Sequence, residues 1–102
     1  MRIIKTSMLR EFWEDHREAE ASLRIWVQLA KAAEWRNFAD VRRTFPSADL
    51  VTMASGRRVV VFNIAHNRHR LIAAVHFNTR IVYTLMILPH KQYQADAWKE
   101  QL

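Results

Sequence analysis

Three apolar runs within residues 57–93 constrain this chain more than anything else in it: RRVVVFNI, RLIAAVHF and RIVYTLMIL, parted by short turns and followed by PHKQY. Runs this short, rich in β-branched and aromatic residues and bounded by turn signals, favour strands over helices. Only Asn78 and Thr79 separate the second run from the third, so these two strands should form a hairpin. Alternation along the middle strand places Arg70, Ile72, Ala74 and His76 on one face and Leu71, Ala73, Val75 and Phe77 on the other. The second set is the purer core face, and it needs a cover.

The cover is predicted upstream. Leu9, Phe12, Trp13 and His16 recur at helical spacing with Arg10, Glu11, Glu14 and Asp15 on the other side. Thr6 or Ser7 is the expected cap. After a polar break at residues 16–20, Leu23, Trp26, Val27 and Ala30 repeat the pattern to about Trp35, and the two helices should form a hairpin. Asp40 is expected to cap one or two further turns, which end at Phe45 because it precedes Pro46. Residues 1–5 read as an edge strand, residues 50–53 as a weak strand, and residues 54–57, with the only glycine, as a turn. Pro89 fits the first turn of a last helix running from His90 to about Gln101. The expected fold class is therefore α+β: a helical hairpin packed on an antiparallel-rich sheet, with a short C-terminal helix.

At 102 residues, half of them hydrophobic, the chain reads as a single domain, residues 1–102. The absence of cysteine excludes disulfides and thiolate metal sites and suits a reducing compartment. The longest apolar run falls far short of the roughly 20 residues of a membrane span, and the acidic groups at Glu11, Glu14 and Asp15 are unlike a secretory signal. A cytoplasmic protein with no membrane partner is the expectation. The net charge is +6, and residues 57–102 carry seven basic groups against two acidic ones. A one-signed face of that kind attracts polyanions.

His90, Lys91 and Tyr93 fall together where the last strand gives way to a helix, and Arg70 opens the neighbouring strand. A helix N-terminus favours a phosphate, and an imidazole beside it can accept or give a proton. Such a set can hold a phosphodiester and stabilise the extra charge of its transition state. The competing reading makes His90 and Lys91 solvated helix-start residues and lets Tyr93 pack. Arg42 and Arg43 read as an exposed basic turn. His66 and His69 share a turn, yet without cysteine or a nearby carboxylate they make a poor metal site. No phosphate-binding glycine loop, nucleophile-elbow serine or carboxylate pair is present, so no metal or cofactor is expected.

The series DVRRTFPSAD at residues 40–49, VFNI with Asn67 and RLI at residues 61–72, Tyr83, and HKQY at residues 90–93 resembles the HigB-type toxins of the RelE/ParE superfamily. The resemblance implies a small RelE-like α+β toxin of a type II toxin–antitoxin system that cleaves messenger RNA in the ribosomal A site. It also implies a helix-turn-helix antitoxin of the HigA type, and operator DNA bound through the toxin–antitoxin complex. Carried over, Arg70 matches the arginine that contacts the scissile phosphate, and His90, Lys91 and Tyr93 match the catalytic cluster. Asn63 and Asn67 match motif positions, and with Arg57, Arg58 and Arg68 they are the expected RNA contacts. Pro89 stands where relatives commonly have threonine, and Gln94 where they have an acidic residue. The alternative is a non-enzymatic relative that binds a protein target such as gyrase, or nucleic acid, on the same scaffold.

Overall fold

The computed structural model describes residues 1–101. Strand β1 (Arg2–Ile4) leads into α1 (Thr6–Asp15), a 3₁₀ turn (Arg17–Ala19), α2 (Glu20–Ala32) and α3 (Phe38–Thr44). Strands β2 (Asp49–Thr52), β3 (Arg58–Ile64), β4 (His69–His76) and β5 (Ile81–Pro89) follow, then α4 (His90–Gln94) and a second 3₁₀ turn (Ala97–Glu100). The five strands form one sheet in the order β1-β5-β4-β3-β2, antiparallel except for β1 against β5. The α+β class and the helix-covered, mostly antiparallel sheet are as the sequence implies.

The alternation expected in β4 holds. Leu71 and Ala73 are buried with Leu9, Leu23, Trp26, Phe62 and Val82 under the helices, whereas Ile72 is buried on the other face with Val59, Val61, Met53 and Trp98. Thr84, fully buried, ties β1 to the sheet by donating its hydroxyl to the carbonyls of Ile4 at 3.0 Å and Lys5 at 2.9 Å.

One irregularity re-aims the exit of the sheet. Opposite the adjacent residues Ile72 and Ala73, β5 places Met86 and Thr84, so Leu85 is an extra residue. A bulge of this kind inverts the side-chain parity beyond it. Before it Val82 faces the helices; after it Ile87 packs on the helix side, and Met86 and Leu88 join the opposite cluster.

Three local expectations are corrected. Thr6 opens α1 rather than capping it: the N-cap is Lys5, left-handed at φ 69°, and no side chain bonds to the helix end. For α3 the N-cap is Asn37, whose Oδ1 accepts the Asp40 N–H at 3.0 Å, while Asp40 reaches back to accept the Arg36 N–H at 2.9 Å. This is the reciprocal logic of a capping box, moved by one residue. The last helix stops at Gln94 because Asp96 is left-handed at φ 61°, and Pro89 is the final residue of β5 rather than a helical one.

Candidate functional site

Residues directly opposite each other in a sheet share a face. The register pairs Asn63 with Arg70 and Arg70 with Leu88, and in the next row Asp49 with Val61, Val61 with Ile72, and Ile72 with Met86. Both rows lie on the face away from the helical hairpin. Asn63, Arg70 and Asp49 thus reach one side of the sheet from three strands.

Tyr93 closes this side from α4. Its ring stacks on Trp98, centroids 5.2 Å apart at 22°, and the Trp98 indole N–H donates to the Tyr93 carbonyl at 3.0 Å. The Arg70 guanidinium carbon lies 5.5 Å from the Tyr93 ring centroid. With Arg42, Ser47, Ala48 and Val61 these residues line an open cavity of ≈ 280 Å³. Clefts of ≈ 350 and ≈ 800 Å³ lie elsewhere on the molecule, but neither gathers sheet-borne polar groups from several strands.

Arg70 is held without being neutralised. Its Nη1 donates to the carbonyls of Asn67 at 2.9 Å and His69 at 3.3 Å, and it forms no ion pair among the described residues. The full guanidinium charge is left for an external anion. The carbonyl of Asn67 is aimed by an unusual turn in which Ala65, His66 and Asn67 are all left-handed, φ 53°, 55° and 70°. Each such non-glycine residue costs about 1–2 kcal/mol, and the turn is tied to α2 by the Ala65 N–H donating to the Ser22 hydroxyl at 3.0 Å.

His90 lies beside this turn, its N–H donating to the Arg68 carbonyl at 2.8 Å. That bond commits one of the helix-start amides that the sequence reading offered to a phosphate. The imidazole Nδ1 is buried without a hydrogen-bond partner. His90 and Tyr93, three residues apart on α4, share a helix face; Lys91 is exposed and off that face. Burial, and next the charge of Asp49, push the Tyr93 hydroxyl above its ordinary value, against the opposing charges of Lys99 and Arg70. At neutral pH Tyr93 is therefore a neutral donor.

The other expected contacts divide. Asn67 and Arg68 sit exposed in the turn beside the site. Arg57 and Arg58 do not join it: β3 and β4 are antiparallel, so their starts lie at opposite ends, and Arg58 is five residues from Asn63, about 16 Å along the strand. Arg57 lines a separate cleft with Lys5, His76 and Tyr83. Sequence reasoning missed Asp49, which is visible only through its pairing with Val61. It also missed Trp98, hidden by the assumption of one continuous last helix. Arg42, read as an exposed turn, lines the cavity while remaining exposed. His69 does have a carboxylate near it, since Glu18, 51 residues earlier, places Oε1 2.9 Å from its Nε2. Among the described residues no group of three or more His, Cys, Asp or Glu is arranged to hold a metal ion, and no helix is long and apolar enough to cross a membrane.

A helical hairpin on one face of a five-stranded, mostly antiparallel sheet, with a short helix at its exit, is the architecture of a small RelE-like protein. Residues 19–96 match the model of the HigB toxins, described as the RelE-like toxic component of a toxin–antitoxin system, and the chain belongs to that family. Membership implies an antitoxin as partner. A search of curated proteins found no match.

Proposed function

We propose that this toxin is a ribosome-dependent endoribonuclease that cleaves messenger RNA in the A site, acting in the cytoplasm as one domain over residues 1–102. The observation that carries the reading is Arg70: a guanidinium oriented by two main-chain carbonyls, without an ion pair among the described residues, beside Tyr93 and an open polar cavity. An arginine prepared in this way suits a phosphodiester better than a structural ion pair.

The reaction is attack of a ribose 2′-OH on its adjacent 3′-phosphate. The 2′ oxygen loses its proton and bonds to phosphorus, the bond from phosphorus to the 5′ oxygen breaks, and that oxygen takes up a proton. His90 serves as the acid or base, and Arg70 and Lys91 stabilise the added negative charge of the pentacoordinate state. Tyr93, neutral and half-buried, donates a hydrogen bond that orients the phosphate. The chemistry so written is independent of metal. Asn63, Asn67 and Arg68 border the RNA path, and Arg57 and Arg58 contact RNA or ribosome at the far end of the sheet. The partners are messenger RNA, the ribosome, a helix-turn-helix antitoxin and, through the antitoxin complex, operator DNA.

Primer extension on translating ribosomes tests this. New 5′ ends within A-site codons are expected with the wild type and are expected to vanish with His90→Ala and with Arg70→Ala. Both variants should also relieve growth arrest while keeping the fold and antitoxin binding. Wild-type-like cleavage by both variants would sink the site assignment, and an absence of new ends alongside inhibited gyrase would replace the nuclease by the protein-target reading.

A further inference from the structure

A phosphate explains Arg70 and Arg42, but it does not explain Asp49, a carboxylate on the wall of the same cavity. Negative charge beside an RNA phosphate is repulsive, so it belongs there only if it recognises something other than phosphate. The carboxylate is uncommitted. Its Oδ1 accepts the neighbouring Leu50 N–H at 3.0 Å, it forms no ion pair among the described residues, and the side chain is exposed. It faces the site closely enough for its charge to act on the Tyr93 hydroxyl.

We propose that the cavity bordered by Asp49, Asn63, Arg70 and Tyr93 is a guanine subsite, with Asp49 reading the base. An ionised carboxylate only accepts hydrogen bonds and offers two oxygens side by side. Among the four RNA bases guanine alone presents two adjacent donors on its Watson–Crick edge, N1–H and the exocyclic N2 amino group. Adenine and cytosine offer a single amino group next to an acceptor nitrogen, and uracil a single N–H between two carbonyl oxygens. Each of these sets a lone pair against the carboxylate. The remaining groups fit the same ligand. The Asn63 side-chain amide has no protein partner among the described residues and can donate to guanine O6. The Arg70 guanidinium, which lies over the Tyr93 ring, supplies a flat surface of the kind on which unstacked bases lie. The volume of the open cavity, ≈ 280 Å³, is close to the roughly 300 Å³ lower end of small-molecule sites.

This subsite deepens the RNA reading of the same site and rests on it, so two measurements separate the two ideas. In the first, the four nucleoside 5′-monophosphates are titrated against the full chain by NMR, which needs no catalysis. GMP is expected to bind about tenfold or more tighter than AMP, CMP or UMP, and Asp49→Asn is expected to erase that difference. Asparagine keeps the shape and the oxygen that accepts the Leu50 N–H, and a melting curve confirms the fold. Equal affinities in the wild type, or a guanine preference that survives in Asp49→Asn, overturn the subsite. In the second, 5′ ends are mapped across all codons on translating ribosomes. Guanine is expected at one fixed position relative to the wild-type cut, with its enrichment falling about tenfold in Asp49→Asn. Cuts with no guanine bias overturn the subsite and leave the nuclease standing. GMP selectivity without any cuts keeps the subsite and overturns the nuclease.

Discussion

The two faces of the sheet are built from the same strands, alternate residues going to each, yet they are finished differently. Under the helices fourteen buried residues form one cluster, and Phe62 is its hub: its ring centroid lies 5.2 Å from that of Trp26, 5.2 Å from Phe45 and 6.3 Å from Trp35. On the other face only five of the described residues are buried together, and the aromatic one, Trp98, arrives from the C-terminal 3₁₀ turn. The first face carries the apolar burial that holds a domain together. The second stops short of closure, which leaves Asn63, Arg70 and Tyr93 half-buried and able to meet a ligand. Stability and recognition have been allotted to opposite sides of the same three strands.

That contrast is tested most severely at its hub. Phe62→Ala removes a fully buried ring and its three aromatic partners, and should cost about 3–5 kcal/mol. This is a large part of the total stability of about 5–15 kcal/mol typical of a domain. Urea unfolding followed by circular dichroism gives the value, and a loss under about 1 kcal/mol would mean that the helix face is not the main source of stability. On the other side, Trp98→Ala should cost about 2 kcal/mol, below the usual range for a closed core because its neighbours relax into solvent. Its effect on RNA cleavage should exceed its effect on stability, since Tyr93 loses both its stacking partner and the indole donor to its carbonyl. Trp98→Phe, which keeps a ring but no donor, should restore part of the activity.

How much of this arrangement was legible follows from which forces act locally. Periodicity placed the first two helices and the inward set Leu71 and Ala73, because burial imposes a period on sequence, and β-branched content with turn signals placed the strands. The strand-to-helix exit marked Arg70 and the cluster of residues 90–93 as candidates, and the resemblance gave them roles. Tertiary placement was out of reach: Asp49 joins the site through β2–β3 register, and Glu18 meets His69 across 51 residues. Arg57 and Arg58 were grouped with Arg70 by counting strand starts, which antiparallel pairing sends to opposite ends. The bulge at Leu85 has no composition signal, yet it decides that Leu88 rather than Ile87 stands beside Arg70.

A smaller effect separates order from strain at the open face. Ala65 is left-handed without being glycine, so Ala65→Gly relieves about 1–2 kcal/mol and adds about 0.4–1 kcal/mol of unfolded-state entropy. Net stability should rise by about 0.5 kcal/mol, while cleavage falls because the carbonyls that orient Arg70 are less firmly set. A rise in both would show that the turn's rigidity does not serve the site.

The smallest effect concerns α3, which joins the two faces: its Val41 is buried in the helix-side cluster and its Arg42 lines the cavity. Its start depends on Asp40, whose carboxyl is held below the ordinary value of 3.8, first by the Arg36 N–H and then by the charges of Arg36 and Arg43. A depressed carboxyl contributes stability that is complete above its unfolded value and is lost as pH falls through the folded one. Asp40→Asn keeps an acceptor for the Arg36 N–H and removes the charge. The wild type should thus melt slightly higher than the variant at neutral pH, and the gap should close as pH falls below 3.8. Because both guanidinium groups are exposed, at 84% and 78%, added salt should narrow the gap as well. A gap that ignores salt but closes in acid would assign the stabilisation to the hydrogen bond at the helix start rather than to the ion pairs. That outcome would tie the position of Arg42 to the geometry of the cap rather than to surface charge.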